Sequence, residues 1–298
     1  MKLVSFAEND RVSYGICSEN GVVDVFAAST ELGEGHALPM DVRSGIAEGD
    51  GFVKRIEEAW NAIDEDALDR HTYDSDAIRL LPPLTSLGKN IMCVGKNYRD
   101  HAIEMGAEDA PENIMIFTKA PTTLAASGEE LPVHDELTEQ LDYEGELAVV
   151  IGQGGRGISV EAAMDHVFGY TILNDITARD LQKKHGQFFL GKSLDGTCPM
   201  GPYLVTKDEI GDPHDLSITT KVNGEVRQSS NTSNMMFKIS DIISILSKGM
   251  TLEPGDVIAT GTPAGVGKGF NPPKFLKPGD LIEIEVESLG KLTNRLQS

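Results

Sequence analysis

The segment Tyr143-Glu144-Gly145-Glu146-Leu147 sets two carboxylates two residues apart. Side chains of an extended strand alternate between faces, so Glu144 and Glu146 share one face and Gly145 turns to the other. A Glu-x-Glu pair is often no more than a solvated surface feature. Here the same face continues through Ala148 and Val150, which predicts burial, and buried like charges need a cation to offset them. A third acid, Asp175, ends the strand-like run VFGYTILND and is placed to close the cluster. Three carboxylates with no Cys or His nearby in sequence suit a hard divalent ion, Mg²⁺ or Mn²⁺, rather than zinc. Read alone, Asp175 serves equally well as the N-cap of a helix beginning near Thr177. His101 and Glu104 stand three apart in YRDHAIEMG, a spacing that puts them on one helix face, where the carboxylate orients and polarises the imidazole. Such a pair is the minimum needed to activate water as a base, although a single histidine on a short exposed helix is more often inert.

Two glycine patterns invite a nucleotide reading. GQFFLGKS, residues 186–193, satisfies G-x-x-x-x-G-K-S. A phosphate cradle needs a strand before the loop, small residues within it and a helix after it. This chain has the helical ARDLQKKH before, Phe188, Phe189 and Leu190 within, and LDGTCPMGP after. GQGGRG, residues 152–157, follows a strand and lies upstream of Asp175, as a dinucleotide fingerprint would. Its strand carries Glu144 and Glu146, however, where a central parallel strand is apolar. Ile158 and Ser159 also separate the last glycine from the helix-like EAAMDH, with Ser159 as the expected N-cap. Neither pattern is expected to bind a nucleotide.

The elements that must hold these groups are mostly strands. Residues 2–25 read as short strands, with turns at Glu8-Asn9-Asp10 and Asn20-Gly21. Phe52, Ile56 and Ile63 recur at helical spacing in GFVKRIEEAWNAI. LPPLTSLGKN, residues 81–90, is a connector, because Pro-Pro and Gly cannot continue a helix. The boundary falls there, dividing a small N-terminal α+β domain, residues 1–84, from a larger domain, residues 85–298. Beyond it, IMCVG, YEGELAVVIG, VFGYTILND and GDVIATGTP read as strands. YRDHAIEMG, ended by Gly106, and SDIISILSKG, with Ser240 at its start and Gly249 at its end, read as helices. Strands outnumber helices without regular alternation, so the expected class is β-rich α+β rather than a doubly wound sheet.

Composition narrows the partners. The 298 residues carry 26 Lys plus Arg against 47 Asp plus Glu, a net charge of −21, which repels nucleic acid and anionic leaflets alike. No nucleic-acid partner is expected, and no membrane either, since the longest apolar run in the middle of the chain, residues 147–151, falls far short of the roughly 20 residues a bilayer requires. MKLVSFAEND does not read as a signal peptide. Cys17, Cys93 and Cys198 are odd in number and form no C-x-x-C pair, so neither a disulfide framework nor a thiolate zinc site is indicated. A cytoplasmic location fits best.

GKNYRDHAIEMG, FTKAPTTL, LDYEGELAVVIG, FGYTILNDITARDLQ, FFLGKSLDGTCPMGP, VNGEVRQ and GDVIATGTPAGVG occur in an order that resembles the fumarylacetoacetate hydrolase family over most of residues 85–298. It looks close to the bacterial single-barrel branch that includes acylpyruvate hydrolases and oxaloacetate decarboxylases. It implies a mixed β-roll, a homodimer, and one divalent metal per site held by Glu144, Glu146 and Asp175. It further implies that His101 and Glu104 form a dyad on a mobile lid that orders over substrate, and that Lys192 lies near the substrate carboxylate. Lys119, Arg179, Gln182 and Thr262 match substrate-site residues. The implied reaction is carbon–carbon cleavage of a small 2-oxo acid, either hydrolysis of a 2,4-dioxo acid such as an acylpyruvate or decarboxylation of oxaloacetate. Both leave an enolate whose charge a metal ion would take up. Reprotonating that enolate would instead give an isomerase or hydratase of 2-hydroxy-dienoates, and a non-catalytic metabolite-binding role stays open at this point.

Overall fold

A computed structural model describes residues 1–49, 51–107 and 112–298. Its centre is the strand Gly145–Ile151, buried along its whole length. Leu147, Val149 and Ile151 join an apolar cluster with Ile218, Ile282, Ile284 and Val286. Ala148 and Val150 join a different cluster, with Leu3, Phe52, Ile56 and Leu84 of the N-terminal region. A strand covered on both faces accounts for the unbroken apolar run. The face that carries Glu144 and Glu146 therefore runs on beneath an N-terminal layer rather than into water.

Around that strand the chain builds a twelve-stranded sheet. Gly145–Ile151 pairs antiparallel with Val167–Asn174 on one side and with Val257–Ala259 on the other. Val167–Asn174 continues to Cys198–Thr206, and Cys198–Thr206 to Lys2–Glu8 and its hairpin partner Arg11–Ser18. Val257–Ala259 pairs in parallel with Ile91–Gly95, which is followed by Met115–Lys119. A second sheet of five strands includes Ser217–Val222, Leu281–Val286 and Gly290–Leu296, and its inner residues complete the first cluster. Gly145 lets the two sheets approach: a Cβ there would overlap Thr220 Oγ1 and crowd Ile284. The glycine between the two glutamates is thus a packing requirement of the opposite face.

The result is a strand-rich mixed α+β fold, as expected. The chain division at residue 84 is not a division of the core. Lys2 stands opposite Val205 in the large sheet, and the helix Gly51–Ala62 adds Phe52 and Ile56 to the cluster that holds Ala148 and Val150. Two local expectations need correction. Ser240 lies inside the helix Ile239–Gly249, whose cap is Lys238, with its N–H donating to Asp241 Oδ2 at 3.1 Å. EAAMDH forms only a 3-10 turn, Ala163–His166. None of the helices among the described residues is long and apolar enough to cross a membrane.

Candidate active site

Sheet register decides where the acids meet. Gly145 stands opposite Asn174, so Asp175, one residue past the end of its strand, comes back beside Glu144. The Asp175 N–H donates to the Glu144 carbonyl at 2.9 Å, and the Glu144 N–H donates to Asn174 Oδ1 at 3.0 Å. Carboxylate oxygens of Glu144, Glu146 and Asp175 gather within 4.8 Å of one another, all three residues buried. Asp175 caps no helix. Thr177–Ala178 is a short strand paired with Leu141–Asp142, and the next helix, Arg179–Lys184, has Ala178 at its N-cap.

Three protein cations answer the acids. Lys192 Nζ bridges Glu144 Oε2 at 2.7 Å and Asp175 Oδ2 at 2.6 Å, and Lys119 Nζ lies 3.0 Å from Asp175 Oδ1. Arg179 reaches Glu144 Oε1 at 2.7 Å and Asp142 Oδ2 at 2.8 Å. Asp142, not singled out from sequence, also accepts the N–H groups of Tyr143, Gly267 and Lys268. Its signal was present, because residues 142, 144 and 146 share strand parity. Burial opposes ionisation of Glu144, yet Lys192 and Arg179 hold it well below the usual carboxylate range. Glu146, only 1% exposed, has no ion-pair partner among the described residues and accepts one bond, from the Gly261 N–H at 2.7 Å. Desolvation, then the charges of Asp175 and Glu144, push its pKa well above 4.5. Glu146 therefore needs a proton or a further cation. An all-oxygen donor set containing one carboxyl without a counter-ion fits a hard divalent cation, which Glu144, Glu146 and Asp175 would hold.

Glu144 and Glu146 line a cavity of about 240 Å³ together with His101, Arg179, Gln182, Lys192 and Thr262. Met105, Met115, Phe117 and Phe188, none of them anticipated, form its apolar wall. Lys119 is not in that lining. It is fully buried behind Asp175, donating to the Ile176 carbonyl at 2.9 Å, so its place is with the acid cluster rather than the substrate space. Thr262 donates to the Gly145 carbonyl at 2.9 Å and accepts from Gln228 Nε2 at 2.7 Å. Gln228 in turn accepts the Gly145 N–H at 3.0 Å, a supporting role that sequence reading left unassigned.

The helix Arg99–Glu104 sets the histidine over this cavity. His101 Nδ1 is 3.1 Å from Glu104 Oε2, and Glu104 Oε1 accepts the Gly265 N–H at 2.9 Å. A Cβ at Gly269 would collide with the Glu104 carboxylate and displace it from its place beside His101. Asn97 ties down the approach to the helix, donating to the Thr260 and Phe237 carbonyls at 2.8 and 3.0 Å. With Nδ1 engaged, Nε2 is the ring nitrogen left without a hydrogen bond among the described residues.

Both glycine patterns are otherwise employed. Lys192, the lysine of G-x-x-x-x-G-K-S, is spent on two carboxylates. In GQGGRG, the N–H groups of Gly152, Gly155 and Gly157 donate to the carbonyls of His166, Leu252 and Ser247, leaving none of these three for a phosphate. Removing Lys192 should expose what it offsets. Lys192→Met is expected to cost the metal-free protein about 3 kcal/mol, read in urea melts with chelator present, and added Mg²⁺ is expected to restore part of the loss.

A strand-rich α+β fold whose cavity holds an oriented histidine and two carboxylates of a buried acid triad is the equipment of a small-molecule enzyme. The chain belongs to the fumarylacetoacetate hydrolase family: the family model described as fumarylacetoacetate (FAA) hydrolase C-terminal matches residues 90–297. Oxaloacetate tautomerase YisK of Bacillus subtilis (strain 168) is 54% identical over 284 residues, 94% of each chain. The fumarylacetoacetate hydrolase of psychrophilic Exiguobacterium antarcticum is 43% identical with a TM-score of 0.84, covering 100% of this chain and 99% of that one. Maleylpyruvate hydrolase from Sphingobium sp. SYK-6, solved with manganese(II) and pyruvate, is 26% identical with a TM-score of 0.78, covering 100% and 99%.

Proposed function

We propose that this chain is a divalent-metal-dependent enzyme of small 2-oxo acids that works through the substrate's enolate, and that interconversion of the keto and enol forms of oxaloacetate is its first activity. The observation that carries this reading is the convergence of His101, Glu144 and Glu146 on one cavity, with the His101 ring held by Glu104. A Mg²⁺ or Mn²⁺ ion held by Glu144, Glu146 and Asp175 supplies a Lewis acid for the charge that develops on the 2-oxo oxygen. Keto and enol forms differ by one proton moved between C3 and that oxygen. His101 Nε2 holds the proton in transit, and Glu104 keeps the ring in the tautomer that can do so. Gln182, Thr262 and Lys192 contact the substrate, while Arg179 and Lys119 act one step back by holding Asp142, Glu144 and Asp175 in place. The relative named as an oxaloacetate tautomerase supports this ordering.

Cleavage of the C3–C4 bond, by hydrolysis of a 2,4-dioxo acid or loss of CO₂ from oxaloacetate, is the second reading. It is favoured by the structural neighbour named as a maleylpyruvate hydrolase and solved with pyruvate. One assay separates the two. Mg²⁺-loaded protein given the enol form of oxaloacetate is expected to speed loss of enol absorbance well ahead of pyruvate release. Pyruvate appearing as fast as the enol signal decays would make cleavage the main reaction, and no acceleration of either would end the proposal.

A further inference from the structure

We propose that Lys96, Lys183 and Lys268, at the mouth of the cavity, form an anion site for the distal carboxylate of a dicarboxylic 2-oxo acid and make the enzyme select dianionic over monoanionic substrates. The inference rests on the 2-oxo-acid reading above and adds the substrate class and the residues that set it. All three lysines line the cavity. In a chain of net charge −21, a cavity wall with five Lys and Arg residues against two acids is an inversion of the local field. Two of the five, Arg179 and Lys192, are committed to buried carboxylates. The other three form no ion pair among the described residues, whereas Lys119, equally close in kind, is paired.

The arrangement is directional. Arg179 and Lys183 stand four apart on the helix Arg179–Lys184, so they share a face: Arg179 is buried against Asp142 and Glu144, and Lys183 is exposed. Lys268 is held by its own backbone N–H, which with that of Gly267 donates to Asp142. Burial and then the charge of Arg179 push the Lys268 ammonium below its ordinary value, with Lys183 and Lys96 adding to the push and Asp142 opposing it. Lys96 holds a left-handed backbone, φ +54°, which a residue with a Cβ adopts at a cost. Such strain tends to be retained where a side chain has a task. Carboxylates that take a cation lie at the floor, and ammonium groups with no ion-pair partner among the described residues lie at the entrance. A substrate that chelates through its carboxylate and 2-oxo oxygen would leave any second carboxylate among these lysines, which also focus anions toward the opening.

(S)-Malate and (S)-2-hydroxybutanoate test this, because they differ only in a distal carboxylate against a methyl and neither enolises. In calorimetric titration of Mg²⁺-loaded protein at low salt, the wild type is expected to bind malate roughly thirtyfold more tightly, the product of three exposed charge contacts of about threefold each. Lys96→Gln, Lys183→Gln and Lys268→Gln should each weaken malate roughly threefold, and together roughly thirtyfold, with 2-hydroxybutanoate unchanged within about twofold. Lys→Arg at the same positions should restore the preference, and raising the salt should shrink it. Equal effects on both ligands, or none on malate, would overturn the assignment while oxaloacetate tautomerisation by the wild type leaves the enolate reading standing. Lysine-dependent malate binding without turnover of any 2-oxo acid would do the reverse. A wild type that binds neither ligand overturns the anion site outright.

Discussion

Glu146→Gln is expected to abolish tight Mg²⁺ or Mn²⁺ binding and to lower kcat/KM by roughly 10³-fold. Glu144 and Asp175 already have Lys192, Arg179 and Lys119 as counter-ions, so Glu146 supplies the charge that still calls for a cation. The same substitution has a signature in stability. The folded-state pKa of Glu146 lies above its unfolded value of 4.5, so the native protein binds this proton more tightly than the unfolded chain does. Its contribution is then fully present below pH 4.5 and is lost as pH rises toward the folded pKa. In chelator, Glu146→Gln should therefore melt increasingly above the wild type as pH is raised from that value toward 8. Mg²⁺ should raise the wild-type Tm at pH 8 and leave the variant's unmoved. Glu144 contributes a trend of opposite sign, since its pKa is depressed, but that trend is confined to pH values below about 4.5 and so lies outside this range. Wild-type metal affinity in Glu146→Gln would remove the basis of the proposed chemistry.

His101→Ala should separate binding from proton transfer. Loss of a positioned acid–base group costs about 10²- to 10⁴-fold in kcat, while Mg²⁺ affinity should stay within about twofold because the imidazole is no member of the carboxylate set. Glu104→Gln should fall between the two proteins: the amide can still accept the Gly265 N–H but no longer stabilises a charged imidazole. The pair also discriminates between reactions. Decarboxylation of oxaloacetate needs no base, so it should survive in His101→Ala when tautomerisation does not. Tautomerisation persisting within about threefold in His101→Ala would take the histidine out of the proposed step.

Local periodicity was enough to place Glu144 beside Glu146, to set Gly145 on the opposite face and to bring Glu104 within reach of His101, because each relation spans at most one strand repeat or one helical turn. The same parity rule would have found Asp142 had it been carried one step further back. Asp175 could not be assigned this way. Whether it capped a helix or joined the glutamates depended on the pairing of Gly145 with Asn174, a contact between strands that no local pattern encodes. The positions of Lys119, behind Asp175, and Lys192, between two acids, are likewise products of chain crossing, since Lys119 lies 57 residues from Ile176, whose carbonyl it binds, and Lys192 lies 17 residues from Asp175. The N-terminal region was legible as strands and a helix but not as the cover of Ala148 and Val150, because the connector at residues 81–90 marks a break in the chain and says nothing of the sheet that continues across it through Lys2 and Val205. Sequence determined which side chains share a face; only the packed sheets decided which faces meet.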